Sequence, residues 1–170
     1  MNKTLILSDV QIAHKIRRMA WQLVETNFRE NELVVAGIRG RGFHLACMLA
    51  NELKKIEACP PIELFELHIN KENPLDADQN SWPEADLFSN KVIVVVDDVL
   101  DSGRTLLYGV KQFLHIPVKK IVTLVLVDRN HRSFPVNADF VGLSLATTLQ
   151  EHVSVVLNEQ DCAVFLQDSK

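Results

Sequence analysis

Apolar and polar positions along the chain switch between two periods, and each switch marks an element. After Ser8, apolar side chains at Ile12, Ile16, Met19, Leu23 and Phe28 recur at helical spacing and predict an amphipathic helix. Gln11 stands three residues after Ser8, the spacing of a capping box. L-V-V-A-G-I (33–38) has no polar position and predicts a buried strand. Helical spacing returns through Leu45, Leu49, Leu53 and Ile56. Phe65, Leu67 and Ile69 then alternate with Glu66 and His68, which predicts a strand with one wetter face. Residues 70–90 are polar, contain two prolines and show no period, so a long loop is expected there. The pattern resumes with a strand K-V-I-V-V-V (91–96), a helix from about Thr105 to His115, and a strand K-I-V-T-L-V-L-V (120–127). The short pieces F-V-G-L-S-L, V-S-V-V-L and A-V-F-L close the chain.

Strand–helix alternation with continuously apolar central strands implies the α/β class: a mainly parallel central sheet with helices on both faces. The chain has 170 residues, 47% of them hydrophobic, and neither a repeat nor a linker rich in proline, glycine or serine divides it. One domain over residues 1–170 is expected, with a flexible lid loop at about 70–90. No apolar run approaches the ~20 residues that span a bilayer, and M-N-K-T-L-I-L-S-D turns polar too soon for a secretory signal. Three cysteines without metal-ligand spacing fit a reducing, cytoplasmic setting, with Cys47 read as a buried small side chain. A net charge of −4 argues against general polyanion binding. It leaves room for local cationic sites, for which R-G-R (39–41) and D-R-N-H-R (128–132) are the candidates.

V-V-V-D-D-V-L-D-S-G-R-T (94–105) ends an apolar run with two adjacent carboxylates. In a parallel sheet, ligands bind beyond the carboxyl ends of the strands. There Asp97 and Asp98 precede a turn and a helix start, where backbone N–H groups and the helix dipole favour an anion. Gly103 permits the tight turn, and Ser102 and Thr105 can donate hydroxyl hydrogen bonds to phosphate. Carboxylates are poor phosphate ligands. They suit ribose hydroxyls, or Mg²⁺ that carries phosphate. Singly, the two aspartates could cap a turn with Ser102 as N-cap. Together, the residues point to a sugar phosphate.

The same stretch resembles the phosphoribosyl-pyrophosphate motif of the type I phosphoribosyltransferases. A-G-I-R-G-R-G-F-H-L-A (36–46) resembles that family's pyrophosphate loop and following helix. L-V-L-V-D-R-N-H-R-S-F-P-V-N-A-D-F-V-G (124–142) resembles its pyrimidine-operon attenuation protein/uracil phosphoribosyltransferase subfamily. The resemblance implies a Mg²⁺-dependent enzyme that transfers the phosphoribosyl group of phosphoribosyl pyrophosphate to a nucleobase and releases pyrophosphate. By it, Asp97 and Asp98 hold the ribose hydroxyls, directly or through metal, and Asp101, Ser102, Gly103, Arg104 and Thr105 cradle the 5′-phosphate. Arg39, Gly40, Arg41 and Lys71 meet the pyrophosphate, in a turn expected to hold a non-proline cis peptide. Asp98, Asp101 and Arg41 are the catalytic candidates. Residues 70–90 form the lid, where Lys71-Glu72 replaces the subfamily's Arg-Asp pair. A small base-binding hood completes the fold.

The base is left open by the residues. Asp101 stands where purine enzymes carry an aspartate that handles the base proton, and Phe140-Val141 matches their stacking aromatic and edge-binding backbone. Asp128 and Arg129, in D-R-N-H-R, follow the uracil subfamily instead, and uracil is the leading expectation. Phe140 could equally be a strand core residue, and Asp128 an ion-pair partner of Arg129 or Arg132. Two other functions compete. The subfamily binds leader RNA, for which Lys15, Arg17, Arg18 and Arg29 on the first helix would supply a basic stripe. A phosphoribosyl-pyrophosphate sensor without turnover is the other. A homo-oligomer without membrane contact is expected from the resemblance.

Overall fold

The computed structural model describes residues 3–70, 85–148, 150–158 and 161–168. In chain order the elements are β1 (Lys3–Leu7), α1 (Asp9–Asn27), β2 (Leu33–Ile38), α2 (Arg41–Leu53), β3 (Ile62–Leu67) and α3 (Ala85–Phe88), then β4 (Val92–Leu100), α4 (Arg104–Lys111), β5 (Lys120–Asp128), β6 (Phe140–Ser144), β7 (Glu151–Leu157) and β8 (Cys162–Asp168). Strands β3-β2-β4-β5-β6 form a five-stranded sheet in that order, and every neighbouring pair is parallel. The α/β class with a parallel central sheet is therefore the observed one.

The reason lies in the central strands. Val92 to Val96 are fully buried, so both faces of β4 must be covered. One face packs on α1 and α2 through Ile12, Ile16, Met19, Leu23, Leu45, Leu49 and Leu53, the residues picked out by helical spacing. The other face meets Leu106, Phe113 and Phe88. Phe88 ring edges contact Phe65 and Phe113, with centroids 5.1 and 5.5 Å apart. Here the loop expected over 70–90 needs correcting. Its last residues form α3, and Phe88 anchors it in the core. The rest of the expected lid, including Lys71, lies outside the described residues.

Two further expectations shift, the capping box holds, and one strand is new. The helix predicted from Thr105 to His115 starts at Arg104 and gives way to tighter turns after Lys111. Cys47 is half-buried rather than buried, and burial pushes its thiol pKa up. At the start of α1, the Ser8 backbone N–H donates to Gln11 Oε1 at 2.9 Å. Before it comes β1, a strand that polar Lys3 and Thr4 conceal. It pairs antiparallel with β8, which pairs antiparallel with β7, giving a second sheet in the order β1-β8-β7. No helix among the described residues is long and apolar enough to cross a membrane.

Candidate active site

Parallel register sets the carboxyl edge of the large sheet. Leu100, Asp128 and Ser144 stand level on β4, β5 and β6. Gly37 of β2 is level with Val96, so Arg39-Gly40-Arg41 leaves the sheet beside the two aspartates. Strand β4 runs on to Leu100, which makes Asp97 and Asp98 its last turn of pleat rather than residues after it. Both are 3% exposed. Burying two adjacent carboxylates is costly unless they are hydrogen-bonded or paired. Asp97 Oδ1 accepts the Asp98 backbone N–H at 3.0 Å. Asp98 Oδ2 accepts from Arg41 Nε at 2.5 Å, across from the first residue of α2.

Gly42 makes that approach possible. A Cβ there would stand 2.9 Å from the Val96 carbonyl oxygen and 3.0 Å from Asp97 Oδ1. Among the described residues all peptide bonds are trans, which corrects the cis bond expected at Arg39–Gly40–Arg41. The turn is made instead with Gly40 at φ 91°, ψ −130°. Arg39 is exposed, and its Nη1 lies 3.5 Å from His68 Nδ1 at the end of β3.

Past β4, Asp101 to Gly103 turn into α4. Gly103 takes φ 83°, a left-handed conformation, and serves as N-cap in place of Ser102. Ser102 caps in a different way, accepting the Arg104 N–H on its Oγ at 3.3 Å. Its carbonyl accepts the N–H groups of Ser133 and Phe134, and Val136 packs over Gly103. The resulting cleft is lined by Asp97, Asp101, Ser102, Gly103 and Thr105 at the start of α4. Carboxylates on one side and hydroxyls with a helix start on the other suit a ribose bearing a phosphate. Two carboxylates also fit Mg²⁺ that arrives with substrate oxygens. Among the described residues no group of three or more His, Cys, Asp or Glu could hold a metal unaided.

The candidates at the base side divide. Asp128 is buried at the carboxyl edge, where Oδ2 accepts from Arg132 Nη2 at 2.5 Å and Oδ1 from the Asn130 N–H at 2.9 Å. Arg129 is 5% exposed and pairs with Asp101 through Nη1 at 3.1 Å. Phe140 and Val141 open β6, where Val141 stands level with Val125 and, through it, with Asp97. Phe140 packs on the α1–α2 core and Val141 on the α4 side. The carbonyls of Val141 and Gly142 already accept from Arg18 at 2.8 Å each. Arg18 of the expected basic stripe is thereby tied to β6 while it stays exposed. Arg17 is likewise engaged, with Glu52 at 3.4 Å.

What reaches the edge beyond β6 is the segment 145–148, which no motif marked. The Leu145 N–H bonds the Asp128 carbonyl at 2.8 Å, and His131 Nε2 donates to the Thr147 carbonyl. The Thr148 N–H donates to Glu151 Oε2 at 2.6 Å, which holds that carboxyl below the usual glutamate range. Its only signal in the sequence is L-A-T-T, a small hydroxylated break between two strand-like runs.

A parallel sheet with buried acids at one strand end, followed by a phosphate-sized turn, defines the type I phosphoribosyltransferase class. The phosphoribosyl transferase domain matches residues 4–160, and the chain belongs to that family of enzymes. Within it, the chain is similar to the bifunctional protein PyrR of Macrococcus caseolyticus, at 33% identity over 95% of each chain. It is 35% identical to that of Ligilactobacillus salivarius, over 92% of each. Among solved structures, hypoxanthine phosphoribosyltransferase of Trypanosoma cruzi shares the fold, with a TM-score of 0.72, 17% identity and 95% of each chain covered.

Proposed function

We propose that the protein transfers the phosphoribosyl group of phosphoribosyl pyrophosphate to uracil, forming uridine monophosphate and pyrophosphate. The observation that carries this is the buried Asp97–Asp98 pair at the end of β4, with Arg41 bonded to Asp98 and the Asp101–Thr105 turn beside it. Asp97 and Asp98 hold the ribose hydroxyls, and Ser102, Gly103, Arg104 and Thr105 take the 5′-phosphate. Mg²⁺, when bound, neutralises pyrophosphate charge beside the two aspartates. The C1′–O bond to pyrophosphate breaks, and the electron pair leaves on the pyrophosphate. Arg39 and Arg41 stand where that charge develops, and fixed donors there stabilise the transition state. A ring nitrogen of uracil bonds C1′ and releases its proton to solvent.

Two observations favour uracil over a purine. In the purine-like pair Phe140-Val141, the Val141 carbonyl is already taken by Arg18 at 2.8 Å. Asp101, the purine-like proton carrier, is paired with a guanidinium. A role in RNA binding has less support, since Arg17 and Arg18 are engaged within the chain. The test is pyrophosphate release from Mg²⁺–phosphoribosyl pyrophosphate with uracil, hypoxanthine, guanine, xanthine and orotate offered separately. Turnover with uracil is expected. Turnover confined to purines overturns the base assignment, and none with any base overturns the reaction.

A further inference from the structure

We infer that Arg129 is a positioning residue that ties the phosphate turn to the base-side segment, and that Asp101 is its counter-charge rather than a proton carrier. This rests on the phosphoribosyl-transfer reading above. Arg129 follows directly on β5, where its own N–H bonds the Leu100 carbonyl at 3.0 Å. Its guanidinium is planar, always charged and carries five donors in a fixed fork. Nε donates to Thr147 Oγ1 at 3.1 Å. Nη2 donates to the carbonyls of Glu151 at 2.6 Å and Thr148 at 3.5 Å. Nη1 faces Asp101 Oδ2 at 3.1 Å. One buried cation thus joins three stretches of chain: the turn after β4, the segment after β6, and the start of β7.

The charge pattern explains why Asp101 belongs there. A buried guanidinium needs a carboxylate to offset its desolvation, and the other three partners are neutral. Asp101 stands 52% exposed on the rim, so it can supply that charge without being desolvated itself. Both ends of the pair matter to the ligand. Asp101 opens the turn that lines the phosphate cleft, while Thr147 and Thr148 lie at the same edge of the sheet, past the end of β6. Placing a phosphate in the turn therefore orders, through Arg129, the backbone that meets a base.

The experiment compares binding of ribose 5-phosphate and uridine monophosphate to the wild type, Arg129→Lys, Asp101→Asn and the double variant. Lysine keeps the charge but loses the fork, and asparagine keeps the shape but loses the charge. Each single variant is expected to weaken uridine monophosphate roughly tenfold while ribose 5-phosphate changes less than about twofold. The double variant is expected to be no worse than the poorer single one, since both break one link. Uracil KM should rise by a larger factor than kcat falls. Equal weakening of the two ligands overturns the proposal. So does a fall of kcat in Asp101→Asn, beyond about a hundredfold with uracil KM unchanged, since that marks a general acid or base. A wild type that binds neither ligand would instead count against the phosphoribosyl-transfer reading itself.

Discussion

Arg41 Nε lies 2.5 Å from Asp98 Oδ2, so the first residue of α2 is clamped to the last turn of β4. The aspartate is buried and the arginine half-exposed, which leaves part of the guanidinium open to solvent with one edge already fixed. Asp98→Asn and Arg41→Ala should each lower kcat/KM by about 10²–10³. Circular dichroism and melting should show both variants folded. Full activity in both would remove the proposed ribose and pyrophosphate site.

Gly42 tests the same junction from the backbone side. Alanine there would press on the Val96 carbonyl and Asp97 Oδ1, at 2.9 and 3.0 Å. Gly42→Ala should raise KM for phosphoribosyl pyrophosphate by about tenfold, with an overpacking cost of ~1–3 kcal/mol in urea melts. An unchanged KM would mean that Asp97 does not need its present position.

Phe140 separates core from site. Phe140→Leu should cost about 1 kcal/mol of stability and leave uracil KM within twofold, because the ring packs between β6 and the α1–α2 layer. A large rise in uracil KM would place Phe140 in the base pocket.

Lys91 acts at the opposite edge of the sheet. Its ammonium bridges Glu32 and Glu63 at 3.0 Å each, and hydrogen bonds to both carboxylates raise its pKa above the ordinary 10.5. The stabilisation is therefore fully present below that value and is lost as pH rises through the folded-state pKa. Lys91→Met should be less stable than wild type by under about 1 kcal/mol near pH 8, a gap that closes as pH rises through the raised folded-state pKa. A gap that widens in alkali would contradict the sign, and kcat should not respond to this change at all.

Much of this was legible because it is local. The valine run of β4 and the acids after it set both a buried strand and its chemistry within one short stretch, and α1 and α2 announce their buried faces by spacing. Non-local contacts escaped. Phe88 sits in a polar neighbourhood, and only its contacts with Phe65 and Phe113 reveal α3 as part of the core. Arg129 reads as a base-side candidate, and its ties to Thr147 and Glu151, some twenty residues on, appear only in the fold. The two readings of Phe140 in the sequence have the same origin. An aromatic at a strand start looks identical whether it meets a base or a helix, and register alone decides.

The small antiparallel sheet joins the two extremes of the described chain, because β1 pairs with β8. On a ribosome, β1 emerges before the large sheet and its neighbour β8 after it. Strands β2 to β6 can assemble while β1 waits, an exposed apolar strand with no edge to join. Closing so long a loop is entropically slow, so this sheet is the natural last step of folding. A truncated or stalled chain would then carry a formed phosphate cleft beside an unpaired strand, prone to seek the edge of another molecule.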